Sequence, residues 1–118
     1  MEEYRTLYQN GWSEWRLFPN PEKGEYLYAP FGAGVYQLRN KKTGQYILFG
    51  TGGHLAYRMS SLLPEPYGEG TRRNAEKREY VWERIDDIEY RTIAFSSKET
   101  AKLFESFVKG REDYLYNT

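Results

Sequence analysis

Residues 35–53 constrain the fold most strongly, because they combine two strand-like segments with one tight turn. The side chains of residues 35–40 alternate between two sets, which is the period of a β-strand. Residues 41–44 read Lys-Lys-Thr-Gly, a turn in which Gly44 can take a positive φ. Residues 45–51 form the return segment, and the glycines at 52 and 53 end it. The pattern therefore predicts an antiparallel β-hairpin.

From His54 onward the apolar side chains recur with a helical period. One face of the predicted helix carries Leu55, Arg58, Met59 and Leu62. The prolines at 64 and 66 end this helix, since proline has no N–H to donate and blocks the preceding turn. A second helix is predicted after Asn74, which is a fair N-cap, with Tyr80, Val81 and Ile85 as its buried stripe.

The remaining part of the chain predicts a strand followed by a helix. Residues 88–95 have strand character, and Ser96 and Glu99 have the spacing of a capping box for the helix that follows. The apolar face of that helix consists of Ala101, Phe104, Phe107 and Val108. Gly110 stands where glycine commonly ends a helix. The predicted order is therefore β-β-α-α-β-α, which is typical of an α+β fold.

Residues 1–33 are predicted to form an N-terminal extension that packs on a domain of residues 34–118. The extension contains Trp12, Trp15 and Phe18, whose aromatic rings are expected to bury against the domain. One short strand is predicted within residues 14–18. A chain of 118 residues is long enough for one domain with a modest core.

Composition excludes several kinds of site but does not identify a partner. Because the chain has no cysteine, disulfides, thiolate-bound zinc and thiol catalysis are excluded. Lys and Arg number 17 and so do Asp and Glu, although residues 31–84 hold nine of the former against five of the latter. Only the excess of basic residues within 31–84 favours nucleic acid as a binding partner. The chain lacks an apolar run of the roughly 20 residues that span a membrane, and its acidic start is unlike a signal peptide, so a cytoplasmic protein is expected.

Five short motifs or single residues follow one another in a fixed order within residues 34–117. Gly-Val-Tyr at residues 34–36 is followed, after eleven residues, by Leu-Phe-Gly at residues 48–50. Arg58, Glu105 and Asn117 come next. This series resembles the GIY-YIG endonuclease superfamily, whose members carry Gly-Ile-Tyr and Tyr-Ile-Gly strands, an arginine on the following helix, a late helical glutamate and a terminal asparagine. Leu48 stands in place of the second tyrosine.

The resemblance implies a small antiparallel three-stranded sheet flanked by helices, and a metal-dependent endonuclease that hydrolyses phosphodiester bonds. It also implies Mg²⁺ or Mn²⁺ as the cofactor and nucleic acid as the partner, with DNA favoured over RNA. Glu105 is the metal ligand that matches the family, and one carboxylate suits Mg²⁺, which keeps several of its waters. An ordinary solvated glutamate on a helix remains the alternative.

The other matching residues receive catalytic roles from the same resemblance. Arg58 would bind the scissile phosphate, unless it is simply an ion-paired surface arginine. Tyr36 would orient or activate the nucleophile, or else is one more tyrosine at the edge of the core. Asn117 would order the site, although a residue so near the end could equally fray.

Leu48 cannot supply a hydroxyl group, but a second tyrosine stands on the same predicted strand. Tyr46 lies two residues earlier and would share the face of Leu48 on a regular strand, displaced by about 6–7 Å. A β-bulge is a second way to re-register its phenol. We therefore include Tyr46 among the predicted catalytic residues.

A wider set of residues is predicted to contact the nucleic-acid backbone: Lys41, Lys42, Thr51, His54, Arg72, Arg73, Lys77 and Arg78. Solvated turns and helix faces explain the lysines and arginines equally well. His54 is the only histidine and could act as a base, although capping of its helix is the simpler explanation. Thr51 has the plain alternative of a strand-end threonine.

Two functions remain open from the sequence. The first is a nuclease, supported by Arg58 and Glu105 together. The second is a catalytically degraded module of the same fold, which binds nucleic acid or a protein partner without cutting, and Leu48 supports it. The completeness of the site distinguishes the two.

Overall fold

The computed structural model describes residues 2–60, 62–63 and 75–116. The helices and strands in these ranges are α1 (Glu2–Asn10), β1 (Arg16–Leu17), β2 (Gly34–Asn40), β3 (Tyr46–Gly52), α2 (Leu55–Ser60), α3 (Ala75–Glu83), β4 (Ile88–Ala94) and α4 (Lys98–Lys109), with a short 3₁₀ helix at Pro21–Lys23. The order from β2 to α4 is the predicted β-β-α-α-β-α, and the predicted hairpin is β2 and β3. The predicted end of the first helix at prolines 64 and 66 and the predicted N-cap Asn74 lie outside the described residues.

The strands form one antiparallel sheet in the order β1-β4-β2-β3. This confirms the α+β class with an antiparallel sheet flanked by helices, but the sheet has four strands where three were predicted. The fourth strand is β1, where Arg16 pairs with Tyr90 and Leu17 with Glu89 on β4. The short strand expected within residues 14–18 is therefore an edge of the main sheet, and β3 is the opposite edge.

The two faces of the sheet bury separate apolar clusters. On the face that we call the α2 face, Tyr36 and Leu38 pack with Leu48, Leu55 and Met59. On the α4 face, strand residues pack beneath α4, whose buried side chains are Ala101, Phe104 and Val108. Because β2 is central, it is buried along almost its whole length. Its side chains thus join both clusters.

Helix α1 was not predicted, and its burial explains why. None of its residues is fully buried. Tyr4, Leu7 and Tyr8 lie half-buried against α4, with the ring centroids of Tyr4 and Phe104 6.0 Å apart. A helix that rests on the domain by one narrow, partly exposed stripe leaves only a weak apolar period in the sequence.

A buried polar side chain ties the ends of the chain to the sheet. Gln37 on β2 is fully buried, and its amide nitrogen donates to the hydroxyls of Tyr114 at 2.7 Å and Tyr8 at 3.2 Å. Its amide oxygen accepts a hydrogen bond from Nε of Arg91 at 2.7 Å. Burial raises the pKa of Tyr8 to about 12, so its phenol stays protonated at neutral pH and can act in this network.

The first turn of α4 corrects one detail of the sequence prediction. Ser97, not Ser96, is the N-cap, and its hydroxyl accepts a hydrogen bond from the Thr100 N–H at 3.2 Å. Gly110 ends the helix as expected, but at a φ of −79°, so the special freedom of glycine is not used there.

In the part of the chain that the structure describes, no helix is long and apolar enough to cross a membrane.

We expect Ser97→Ala to lower the free energy of unfolding by about 1 kcal/mol, because the N–H of Thr100 loses its cap. Ser96→Ala is the matched control, and as an exposed residue outside the cap it should change stability by less than about 0.5 kcal/mol. Urea unfolding of both variants measures the difference. An equal or larger loss in Ser96→Ala would mean that the cap is misplaced by one residue.

Candidate active site

A cleft of about 360 Å³ lies at the β3 edge of the sheet, where three elements meet. The end of β3 and the residue after it supply Thr51, Gly52 and Gly53. Helix α2 and the residue before it supply His54, Tyr57 and Arg58, and α4 supplies Lys98, Lys102 and Glu105. The three α4 residues are spaced four and three apart, so they form one stripe along the helix. This stripe runs beside the buried stripe that holds α4 to the sheet.

Tyr36 approaches this cleft from the central strand β2. Its residue is only 3% exposed, and it pairs with Gly50 on β3. The phenol ring lies against Gly50 so closely that a Cβ there would overlap ring atoms of Tyr36. The ring therefore extends toward the sheet edge across a position that has no side chain, and any larger residue at 50 would block it.

Arg58 uses the next glycine along the same strand. A Cβ at Gly52 would lie 3.2 Å from Cδ of Arg58 and 3.5 Å from its Cβ, so the stem of the arginine rests on this glycine. The Arg58 guanidinium lies close enough to the Tyr36 phenol to lower the pKa of that phenol by its positive charge. Arg58 was predicted to fall within the apolar stripe of its helix, but it is exposed at the cleft while Leu55 and Met59 are buried.

The electrostatics join Tyr36 to both Arg58 and Glu105. Burial raises the pKa of Tyr36 to about 12, the positive charge of Arg58 lowers it, and the negative charge of Glu105 raises it. The phenol is therefore protonated at neutral pH in the free protein. The predicted approach of Tyr36, Arg58 and Glu105 to one another is thus present in the structure.

The cleft is strongly cationic although the chain as a whole has a formal net charge of zero. Glu105 forms an ion pair with Lys109 at 3.5 Å. The pKa of Lys77 on α3 is lowered, first by burial and then by the charges of Arg58 and Lys109. Arg58, Lys98 and Lys102 therefore line the cleft beside one carboxylate, Glu105, and Lys77 and Lys109 add positive charge nearby. Such a local excess attracts an anion regardless of total charge.

Sequence reasoning missed Tyr57, Lys98 and Lys102, which all line the cleft. The two lysines lie in a C-terminal segment that is acidic in sum, so counting charge by segment concealed them. Their spacing from Glu105 was the available signal, because residues three, four and seven apart share one face of a helix. Tyr57 directly precedes Arg58 and could have been found from its neighbour.

Two of the predicted nucleic-acid-binding residues, Thr51 and His54, also line the cleft. Lys41 and Lys42 do not, because the hairpin turn is at the other end of β2 and β3, roughly 20 Å away along strands of seven residues. Arg78 is half-buried on α3. The predicted residues Arg72, Arg73 and Asn117 lie outside the described residues.

Tyr46 does not share the face of Leu48, and the expectation that it would is wrong. Pairing of β2 with β3 shifts between Leu38, which faces Leu48, and Arg39, which faces Tyr46. The extra residue is a β-bulge, and it turns the Tyr46 ring onto the α4 face, where its centroid lies 5.7 Å from that of Tyr114. The bulge thus carries the phenol away from the cleft.

The residues beside this bulge also contact the C-terminal segment. The N–H groups of Leu115 and Tyr116 donate to the carbonyls of Tyr46 at 3.2 Å and Ile47 at 2.9 Å. Leu48 itself is 1% exposed and packs on the α2 face with Leu38, on the same side as Tyr36. A leucine therefore fills the position where the second tyrosine of the motif would place its ring.

Glu105 is compatible with a single divalent cation of the magnesium type. The described residues contain no group of three or more His, Asp or Glu side chains that could hold a metal ion. The half-buried carboxylate of Glu105 faces the cleft, and its Oε2 makes the contact with Lys109. A one-carboxylate site suits Mg²⁺, because this ion keeps most of its waters and completes its shell with substrate oxygens.

Comparison with solved structures gives matches to GIY-YIG domains. The chain is similar to the GIY-YIG N-terminal endonuclease domain of UvrC from Thermotoga maritima bound to its catalytic divalent cation, magnesium, at 25% identity and a TM-score of 0.60, over 86% of this chain and 100% of that one. A tyrosine-to-phenylalanine point mutant of that domain matches over the same shares, at 25% identity and a TM-score of 0.58. No family model matches the sequence. No curated protein matches it either.

We expect Gly50→Ala to displace the Tyr36 ring and to lower the free energy of unfolding by about 1–3 kcal/mol, as overpacking of a core does. Gly53→Ala is the control, because a Cβ there would meet only Cδ of Lys98, at 4.0 Å. Chemical unfolding compares their stabilities. A Gly50→Ala variant as stable as Gly53→Ala would contradict the close packing of Tyr36 on Gly50.

Proposed function

Because this chain is a member of the GIY-YIG endonuclease superfamily, we propose that it hydrolyses phosphodiester bonds of nucleic acids with Mg²⁺ or Mn²⁺ as cofactor. One observation carries the proposal: Arg58 and Glu105 line a single cationic cleft, and both are electrostatically coupled to the buried phenol of Tyr36. DNA is the favoured substrate, as the sequence motifs suggested. The three groups correspond to the hydrogen-bonding, phosphate-binding and metal-binding parts that such a reaction requires.

Arg58 would bind the scissile phosphate. A guanidinium donates two parallel hydrogen bonds to phosphate oxygens, and its geometry is useful only when the side chain is held in place. Here the stem of Arg58 rests against Gly52, and its guanidinium is electrostatically coupled to the Tyr36 phenol. Lys98 and Lys102 would neutralise the neighbouring phosphates, with no demand for a fixed geometry.

Glu105 would hold the divalent cation. When bound, the cation stabilises charge that develops on the phosphate and lowers the pKa of a coordinated water. Lys109 contacts the same carboxylate and would hold it in position while the substrate is absent.

Tyr36 would act as a hydrogen-bonding group instead of a base. Its phenol has a pKa of about 12, so it stays protonated at neutral pH and can orient an attacking water by a hydrogen bond. His54 is the group that would accept the proton, because it lines the cleft and a neutral imidazole is a suitable base. This arrangement gives separate residues for orienting and for deprotonating the nucleophile.

A binding module without activity is the second candidate. The burial of Leu48 favours it, since a hydroxyl that other members of the superfamily place next to the first tyrosine is replaced by packed hydrocarbon. Such a protein would retain Arg58 and the lysines of the cleft and would bind phosphates without cutting. The following two experiments separate the candidates.

Supercoiled plasmid should be nicked by the native chain with Mg²⁺ or Mn²⁺, and Glu105→Gln should lower the rate by about 100-fold or more, because the metal contributes several kcal/mol to the transition state. Glu99→Gln is the matched control, an exposed carboxylate in the first turn of the same helix, and should leave the rate unchanged. Equal rates for Glu105→Gln and native protein would refute metal binding at Glu105.

Restoring the missing hydroxyl should raise the cleavage rate, since a positioned acid–base group typically contributes about 10²–10⁴-fold. Leu48→Tyr supplies it, and Leu48→Phe controls for ring size without a hydroxyl. Plasmid nicking is measured for both, with circular dichroism to verify folding. Tyr46→Phe should have no effect, because that phenol is on the other face. If neither the native chain nor Leu48→Tyr cuts, the binding module is the correct candidate.

A further inference from the structure

Residues 24–33 cross the α2 face of the sheet and end beside the cleft. The Tyr28 N–H donates to the hydroxyl of Tyr90 on β4 at 2.9 Å. The carbonyls of Pro30 and Gly32 accept hydrogen bonds from the first turn of α2, at 2.9 and 3.0 Å. Since β2 lies between β4 and β3, the segment spans roughly 10 Å of sheet width. Its backbone is therefore anchored at both ends.

The side chains of this segment divide between core and solvent. Leu27 and Ala29 pack against the core, whereas Tyr26 is 77% exposed, Tyr28 63% and Phe31 86%. Tyr57 in the cleft is 66% exposed. Four large aromatic side chains are thus exposed to solvent, three on the segment that runs from β4 to the first turn of α2 and one, Tyr57, on α2 at the cleft. Large exposed apolar side chains on an anchored backbone usually mark a surface that binds a ligand or a partner molecule.

Positive charge accompanies these aromatic rings. The Arg16 guanidinium lies over the Tyr28 ring, 5.1 Å from its centroid. Tyr57 lines the cleft together with Arg58, Lys98 and Lys102. The acidic neighbour Glu25 is engaged by the backbone, because its carboxylate accepts the Asn20 N–H at 2.8 Å. Exposed rings interleaved with cations match the requirements of unpaired nucleotides, which present a flat base and a negative phosphate.

We propose that Tyr26, Tyr28, Phe31 and Tyr57, here called the aromatic track, bind an unpaired stretch of the nucleic-acid substrate and lead it into the cleft. The proposal rests on the proposed function, because the cleft supplies the phosphate-binding end of the track. Bases of a duplex are already stacked on one another, so only unpaired bases can stack on these rings. The substrate class is therefore single-stranded nucleic acid or a junction with a single-stranded arm.

Binding without divalent cations tests the track separately from cleavage. Anisotropy of a labelled oligothymidine of about twelve nucleotides, in EDTA, should show tighter binding than the matched duplex. Phe31→Ala and Tyr57→Ala should each weaken binding of the single strand by roughly 5- to 100-fold, the effect of losing one stacked base. Leu103→Ala is the matched control, an exposed apolar residue on α4 outside the cleft, and should bind as the native chain does.

Two further variants distinguish stacking from simple apolar contact. Phe31→Trp should keep native affinity, because it retains an aromatic face, and Phe31→Leu should lose affinity although it remains apolar. Equal binding by Leu and Trp variants would overturn the proposal, and so would equal affinity of the native chain for duplex and single strand. No binding of the single strand by the native chain would also overturn it.

The outcomes separate this proposal from the proposed nuclease function. Cleavage of duplex that is unaffected by Phe31→Ala and Tyr57→Ala would overturn the aromatic track and leave the nuclease intact. Track-dependent binding of single strands, without cleavage in Mg²⁺ or Mn²⁺, would support the track and overturn the nuclease.

Discussion

Contact between the Tyr36 ring and Gly50 is the constraint on which the candidate site depends. Tyr36 belongs to the central strand, and the cleft lies beyond the edge strand, so its phenol reaches the cleft only across a residue without a side chain. Gly52 does the same for the stem of Arg58. Two glycines on one strand thus let the ring of a buried tyrosine and the stem of a helix arginine lie against the same strand beside the cleft. Packing alone explains why Gly50, the last residue of the Leu-Phe-Gly motif, is a glycine.

Features that depend on local sequence patterns were predictable from the sequence, whereas features that depend on the register between paired strands were not. The hairpin and the helices after it follow from periodicity and from the residues that form turns and end helices. The approach of Tyr36 to Arg58 and Glu105 was predicted from the resemblance to the GIY-YIG superfamily. Tyr46 was misplaced because a bulge changes the face of every residue beyond it, and no two-residue pattern reveals a one-residue shift. Helix α1 and the cap at Ser97 were missed because a half-buried stripe and adjacent serines give ambiguous signals.

The net charge of the chain and the local charge of the cleft differ for the same reason, because only the fold decides which charged side chains lie together. A chain with zero formal charge concentrates Arg58, Lys98 and Lys102 in one cleft, because α2 and α4 approach the same edge of the sheet. The field that an anion meets depends on this local arrangement and not on the total. The buried phenol of Tyr36 is coupled to Arg58 and Glu105 of this cleft, but no tyrosine stands at position 48. The chain therefore keeps the cations that attract an anion and lacks one tyrosine of the motif.

Pairing of the C-terminal segment with β3 has a consequence for solubility. An edge strand with free backbone groups can recruit a strand from another molecule and begin aggregation. Near the bulge, the carbonyls of Tyr46 and Ile47 already accept the N–H groups of residues 115 and 116. At the other end of β3, the stem of the Arg58 side chain rests on Gly52. A charged side chain beside an edge strand disfavours pairing with a strand of another molecule.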